Sequence, residues 1–185
     1  YRTTTEVWEA ISNIAPQSET TDRETLDVET VYRGPSPILA MYSGEEKLEK
    51  RINSFFYDSL KQERVALSAG AILCPTNKDC VNVTKILDPR LNAVFMNSQN
   101  IDLEYPGIKV MTMYAAKGLQ FPVVAIMGLE RGKIPRDNGP AGQLEEHQMK
   151  ERRLLFVACS RAMRRLIVFG LRQNPSSFLN LFSDD

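Results

Sequence analysis

Two apolar runs, Ile108–Met113 and Val123–Leu129, do most to limit what this chain can fold into. Each has about the length of a buried strand. Between them lies Thr112–Pro122, TMYAAKGLQFP, a compact turn with one lysine, one glycine and one polar carbonyl side chain. Gly118 lets the backbone bend tightly or approach a ligand with no Cβ in the way. Lys117 places a point cation beside it. A cation with exposed amides at a strand end suits a phosphate, whether of a nucleotide or of a nucleic-acid backbone. Taken alone, the same residues also suit a plain turn, and other parts of the chain decide between the two.

The remaining segments read as alternating helices and short apolar strands. Thr3–Ala15 has Val7, Ala10, Ile11 and Ile14 at helical spacing, behind threonines suited to capping, and Pro16 ends it. Residues 17–34 are predicted to be a loop or a mobile surface segment. Ile38–Tyr42 is predicted to be a strand. From Gly44 to about Ala66 a helical stripe runs through Leu48, Ile52, Phe55, Phe56 and Leu60. Ala69–Cys74 is a strand broken by Pro75-Thr76-Asn77, and Asp79–Leu87 a helix stopped by Asp88-Pro89. Ala93–Met96 is a weak strand, PRDNGPAG at Pro135–Gly142 a loop, Gln143–Ala162 a long helix and Leu166–Phe169 a last strand. Strands built from nearly continuous Val, Ile, Leu and Met, with helices between them, predict a mostly parallel sheet covered on both faces. The expected fold is a single three-layer α/β domain over residues 1–185.

Composition narrows the function. Lysine plus arginine and aspartate plus glutamate number 23 each, which argues against bulk electrostatic coating of nucleic acid but does not exclude a local basic stripe. Cys74, Cys80 and Cys159 sit in apolar surroundings and read as reduced thiols of a cytoplasmic protein. His147 is the only histidine, which disfavours a His-rich zinc site and a Ser-His-Asp triad, and no metal-ligand set is predicted. No apolar run approaches a membrane span. A chain opening at Tyr1 is expected to be a fragment of something longer.

The densest charge is Lys150–Arg165, with Lys150, Arg152, Arg153, Arg161, Arg164 and Arg165 against Glu151. On a helix, Arg153, Val157 and Arg161 share one face. A solvated helix end is one reading. An arginine finger, aimed at a transferring phosphate, is the other.

Four segments, in order, carry a resemblance. KERRLLFVACSRAMRRLIVFG at Lys150–Gly170 resembles the sixth motif of the UvrD/PcrA/Rep group of superfamily 1 DNA helicases. VMTMYAAKGLQFPVVAIMGLERGKIP at Val110–Pro135 resembles the fifth. Tyr1-Arg2-Thr3 is similar to the end of the fourth, and AILCPTN at Ala71–Asn77 to the Arg-Thr-Asn strand lining the DNA groove. The resemblance implies a second RecA-like domain, the C-terminal motor half of an ATP-dependent DNA helicase. No Gly-x-x-x-x-Gly-Lys-Ser/Thr loop occurs in the 185 residues, so the β- and γ-phosphate cradle and the Mg²⁺ ligands are expected from an N-terminal RecA-like partner domain. The isolated piece is expected to be inactive.

By the same resemblance, Tyr1 stacks on the nucleotide base and Arg2 and Arg161 reach the γ-phosphate. Lys117 and Gly118 lie near that phosphate, and Gln120 contacts the ribose where the family has glutamate. Asn77, Thr112 and Tyr114 touch single-stranded DNA, or the strand at a single-strand/duplex junction. Tyr114 stands for the family's histidine and Pro75 for an arginine, so the departures fall more on the DNA face. The larger members insert a helical subdomain where this chain has only Lys78–Lys109, so it resembles the compact members. The alternative, from another class, is a non-catalytic RecA-like module that binds nucleic acid or protein in a repair complex.

Overall fold

The computed structural model describes residues 3–15, 32–136 and 144–182. Tyr1, Arg2 and residues 17–31 of the loop predicted over 17–34 lie outside them, as do 137–142 of the loop predicted at Pro135–Gly142. In chain order the elements are α1 Thr5–Ser12, β1 Ile38–Tyr42, α2 Glu45–Glu63, β2 Gly70–Cys74, α3 Asn77–Ile86, β3 Val94–Phe95, β4 Lys109–Thr112, β5 Phe121–Leu129, α4 Leu144–Cys159 and β6 Ala162–Leu171. The six strands form one sheet in the order β1-β6-β5-β2-β4-β3, and every pairing is parallel.

The strand period of two sorts the core into two layers. Ala71, Leu73, Met111, Val124, Ile126, Leu166 and Val168 face α1 and α4, through Val7, Ile11, Leu155 and Ala158. Ile72, Cys74, Val110, Val123, Ala125, Met127, Ile167 and Phe169 face α2 and α3, through Ile52, Phe56 and Val83. Burying each Val, Leu, Ile, Met or Phe among them is worth roughly 1.5–3 kcal/mol. The sheet therefore has helices on both sides, a three-layer α/β arrangement. Met111, Met113 and Met127 are packing residues within these layers, and all three cysteines are buried and free.

Gly128, at φ +83, marks a register irregularity between β5 and β6. Ile126 and Leu129 both belong to the α1/α4 layer, three residues apart, so the parity of the strand changes there. The shift sends Glu130 toward the end of β1, where Tyr42 Oη donates to Glu130 Oε1 at 2.9 Å.

Three of the boundaries that differ from the sequence expectation bear on the site. The long helix ends at Cys159, and β6 begins at Ala162 rather than Leu166. Arg161 therefore lies in the turn after α4, not in the last turn of a helix, and Arg164 and Arg165 stand on a strand. The helix predicted from Asp79 starts at Asn77, because Thr76 caps it by accepting from Asp79 N–H. Thr4 occupies the N-cap position of α1 yet makes no side-chain cap bond, so the capping role read from the threonines is not used.

Candidate nucleotide and nucleic-acid site

The parallel register places the predicted residues at two ends of the sheet. Cys74 pairs with Thr112 where β2 and β4 finish. Phe121 pairs with Ala162 where β5 and β6 begin. The chain from Met113 to Gln120 thus runs from the C-terminal edge of the sheet to its N-terminal edge, with Met113 and Ala116 buried against the α1/α4 layer.

At the C-terminal edge are Asn77, Thr112 and Tyr114. Thr112 Oγ1 accepts from Ala115 N–H at 3.1 Å, and its carbonyl accepts from Ala116 N–H at 3.1 Å, which closes the first turn of the crossover. Tyr114 is left 63% exposed by that turn, so its ring is available to a ligand. Asn77 is the exposed first residue of α3, where unpaired N–H groups and the helix dipole favour an anion. Met113 N–H donates to the Cys74 carbonyl at 2.9 Å, tying the Thr112 turn to the start of the Pro75-Thr76-Asn77 turn.

At the N-terminal edge are Lys117, Gly118, Gln120 and Arg161. Gly118 has φ +86 and open space where a Cβ would stand, so backbone conformation, not crowding, calls for glycine. Lys117 and Gln120 are exposed. Arg161 is half-buried: Nε donates to the Val157 carbonyl at 2.9 Å, Nη1 to the Leu119 carbonyl at 3.2 Å and Nη2 to Ser160 Oγ at 2.9 Å. The four-residue spacing to Val157 thus survives, although Arg161 has left the helix. These bonds hold the guanidinium plane in one orientation beside the Lys117–Gln120 segment. Cationic and amide donors on one edge, and no bulky side chain at Gly118, fit the anionic end of a nucleotide.

Several other members of the basic run have partners within the domain. Arg152 donates from Nε to the Ile14 carbonyl at 2.8 Å and from Nη2 to the Asn13 carbonyl at 2.7 Å, closing the C-terminal end of α1. Arg165 and Arg164 reach Glu63 at 2.7 and 3.5 Å, and Lys150 pairs with Glu146 at 2.6 Å. Lys109 is fully buried and spans Ser68 O and Tyr105 O at 2.9 and 3.0 Å. Burial lowers its pKa, with the Asp102 charge opposing.

One cluster was not signalled by the sequence. Lys133 Nζ stands 3.1 Å from both Asp79 Oδ1 and Glu130 Oε2 at the C-terminal edge. Burial opposes the Lys133 charge, but Glu130 and Asp79 outweigh it and raise its pKa. Burial first, then the Glu130 charge, raises that of Tyr42. Residues 42 and 79 are too far in the chain from each other and from Glu130 and Lys133 for periodicity or motif spacing to connect them.

Residues 91–173 match the family model described as the UvrD-like helicase C-terminal domain. The match takes in 83 of the 185 residues, so the likeness to that family extends over somewhat less than half of the chain. The matched region includes Thr112, Tyr114, Lys117, Gln120 and Arg161. The ATP-dependent DNA helicase PcrA of Staphylococcus epidermidis RP62A is 36% identical over 89 residues, 43% of this chain and 12% of that protein. PcrA of Staphylococcus aureus Mu50 is 37% identical over 83 residues, 40% of this chain and 11% of that protein. The matched stretch therefore spans about an eighth or less of these relatives. Among solved structures, the C-terminal domain of a possible DNA helicase from Lactobacillus plantarum WCFS1 superposes with a TM-score of 0.70. That likeness covers 99% of this chain and 94% of the other at 21% identity, and is one of fold.

Proposed function

We propose that the domain is the second motor half of an ATP-dependent DNA helicase, completing the nucleotide site at one edge of its sheet and holding single-stranded DNA at the other. The observation that carries this reading is the Met113–Gln120 crossover, which joins Thr112 and Tyr114 at one edge to the Arg161 turn at the other. Bound ATP with Mg²⁺ supplies a γ-phosphoryl group whose transfer to water is the energy source. Arg161, with Arg2 ahead of the buried Thr3 and Thr4, stabilises charge on that group. Tyr1 stacks on the base, Gln120 orients the sugar, and Lys117 and Gly118 face the phosphate end. Asn77, Thr112 and Tyr114 contact the DNA strand through phosphate hydrogen bonds and stacking. An N-terminal RecA-like domain supplies the phosphate cradle, so the chain by itself hydrolyses no ATP, and the whole protein works in the cytoplasm.

Displacement of Lys117–Gln120 by a nucleotide-dependent movement of the partner domain is passed along eight residues to Thr112, which couples nucleotide state to grip. The test is Arg161→Ala in a full-length helicase carrying this domain. ATP turnover is expected to fall about 10³-fold or more, with affinity for single-stranded DNA within about twofold of the parent. Near-normal turnover in that variant would defeat the reading.

A further inference from the structure

The crossover accounts for how Thr112 and Tyr114 are held, but not for how Asn77 is. Asn77 sits in the first turn of α3, where the backbone N–H groups have no partners inside the helix and fraying begins. A strand pulled across that turn loads the least-held part of the helix. Its own cap is reciprocal: Asp79 N–H donates to Thr76 Oγ1 at 3.2 Å, and Thr76 Oγ1 donates to Asp79 Oδ2 at 2.5 Å. That cap uses one carboxylate oxygen of Asp79. The other, Oδ1, accepts from Lys133 Nζ at 3.1 Å. Lys133 also contacts both oxygens of Glu130, at 3.3 and 3.1 Å, and Glu130 Oε1 accepts from Tyr42 Oη at 2.9 Å.

The chain of contacts therefore runs Thr76–Asp79–Lys133–Glu130–Tyr42 along the C-terminal edge, from the cap of α3 to the ends of β5 and β1. It borders a cleft of about 150 Å³. The Asp79 and Glu130 side chains are 17% and 13% exposed and that of Lys133 is 42%, so the carboxylates are the sheltered members and the ammonium bridges them. A surface ion pair in isolation adds little to stability. This one connects a helix end to the sheet.

We propose that Asp79 and Lys133 are positioning residues for Asn77, anchoring the first turn of α3 to the end of β5 so that the grip on single-stranded DNA withstands load. The proposal rests on the strand-binding reading given above. A different use of the same residues makes the opposite prediction. Were Lys133 a phosphate contact held in reserve by two carboxylates, removing Asp79 would free it and tighten binding.

The experiment uses a full-length helicase carrying this domain, a single-stranded oligothymidylate and ATP turnover as readout. D79N and K133M are each expected to raise the half-saturating oligothymidylate concentration about three- to tenfold, with turnover at saturation retained. The double variant is expected to be no worse than the more affected single variant, because both break one path. K133R, which keeps the charge and the reach, is expected to restore affinity. The slope of log affinity against log salt concentration is expected to stay at its parental value. E130Q, one link further out, is expected to shift affinity in the same direction by less, and serves if D79N weakens the helix cap itself.

Tighter binding in D79N, with a salt slope in K133M reduced by about 0.7, would make Lys133 a direct phosphate contact and overturn the proposal. Unchanged affinity in D79N, K133M and E130Q, while Asn77→Ala weakens binding, would sink it and leave the strand-binding reading standing. Unchanged affinity in Asn77→Ala would remove that reading, and this proposal with it.

Discussion

Arg161 and Leu119 are joined directly: the guanidinium Nη1 donates to the Leu119 carbonyl at 3.2 Å. Two residues further along, Phe121 N–H donates to the Arg161 carbonyl at 2.9 Å. The turn after α4 and the segment entering β5 are therefore held together from both sides of residue 161.

This double tie makes Arg161 structural as well as functional. Arg161→Ala is expected to lower the stability of the domain by about 1–2 kcal/mol, since several partly exposed hydrogen bonds disappear while the backbone bond to Phe121 remains. Arg161→Lys keeps the charge but loses the planar fork that meets Val157, Leu119 and Ser160 at once, and is expected to recover only part of the loss. Denaturant melts of the three forms check this. A fully stable Arg161→Ala would mean that the bonds to Val157, Leu119 and Ser160 contribute nothing.

Arg152 does similar work at a different place. Its bonds to the Asn13 and Ile14 carbonyls satisfy acceptors that the end of α1 leaves open, and they dock α1 on α4. Arg152→Ala is expected to cost about 1.5–3 kcal/mol and to speed hydrogen exchange in α1 more than in the β5–β6 pair. Uniform exchange across the domain would argue against a local docking role.

The sheet was legible because β2, β4 and β5 are short runs of Val, Ile, Leu and Met whose two faces both need cover. Their placement on two helical layers follows from that requirement alone. The end of α4 was not legible. Ser160-Arg161-Ala162-Met163-Arg164-Arg165 continues a helical pattern, and Ala, Met and Arg are good helix formers. Pairing of Ala162 with Phe121 and of Arg165 with Val123 overrides that preference. Among the site residues, motif order picked out Thr112, Tyr114, Lys117, Gln120 and Arg161, and the register of β4 and β5 then sorted them between two edges. Tyr42 and Asp79 were not legible as partners of Glu130 and Lys133 because only the folded sheet brings them to that pair.

Glu6 provides a pH-dependent test of the loop that enters β1. Its Oε2 accepts from Gly34 N–H at 2.6 Å, and that bond leads the influences that hold the carboxyl below its ordinary value of 4.5. A depressed folded-state pKa means that the unfolded chain binds the proton more tightly. The bond's contribution is therefore fully present above that ordinary value and is lost as pH falls through the lower, folded one. Glu6→Gln is expected to lower the melting temperature at pH 7, and the gap from the parent is expected to close on acidification below about pH 4. A gap that is constant with pH would show that the charge of Glu6 is not what Gly34 recognises.

Gly128 links backbone geometry to the Asn77 turn. It has φ +83, and a Cβ placed there would stand 2.5 Å from Cγ and 2.7 Å from Cδ of Pro75. Pro75 is buried, and its ring has no flexible end that could swing away. Gly118 is a natural control, with φ +86 but open space around its Cβ position. Gly118→Ala is expected to cost about 1 kcal/mol for the backbone conformation alone. Gly128→Ala adds the collision with Pro75 and is expected to cost roughly 2–5 kcal/mol. The collision is relieved most readily by moving Pro75, which carries Thr76 and Asn77 with it. At temperatures where both variants remain folded, Gly128→Ala is therefore expected to weaken binding of single-stranded oligothymidylate more than Gly118→Ala does. Equal denaturation midpoints for the two variants would show that the Pro75 contact relaxes without cost, and the coupling between the end of β5 and the Asn77 turn would then lack its steric half.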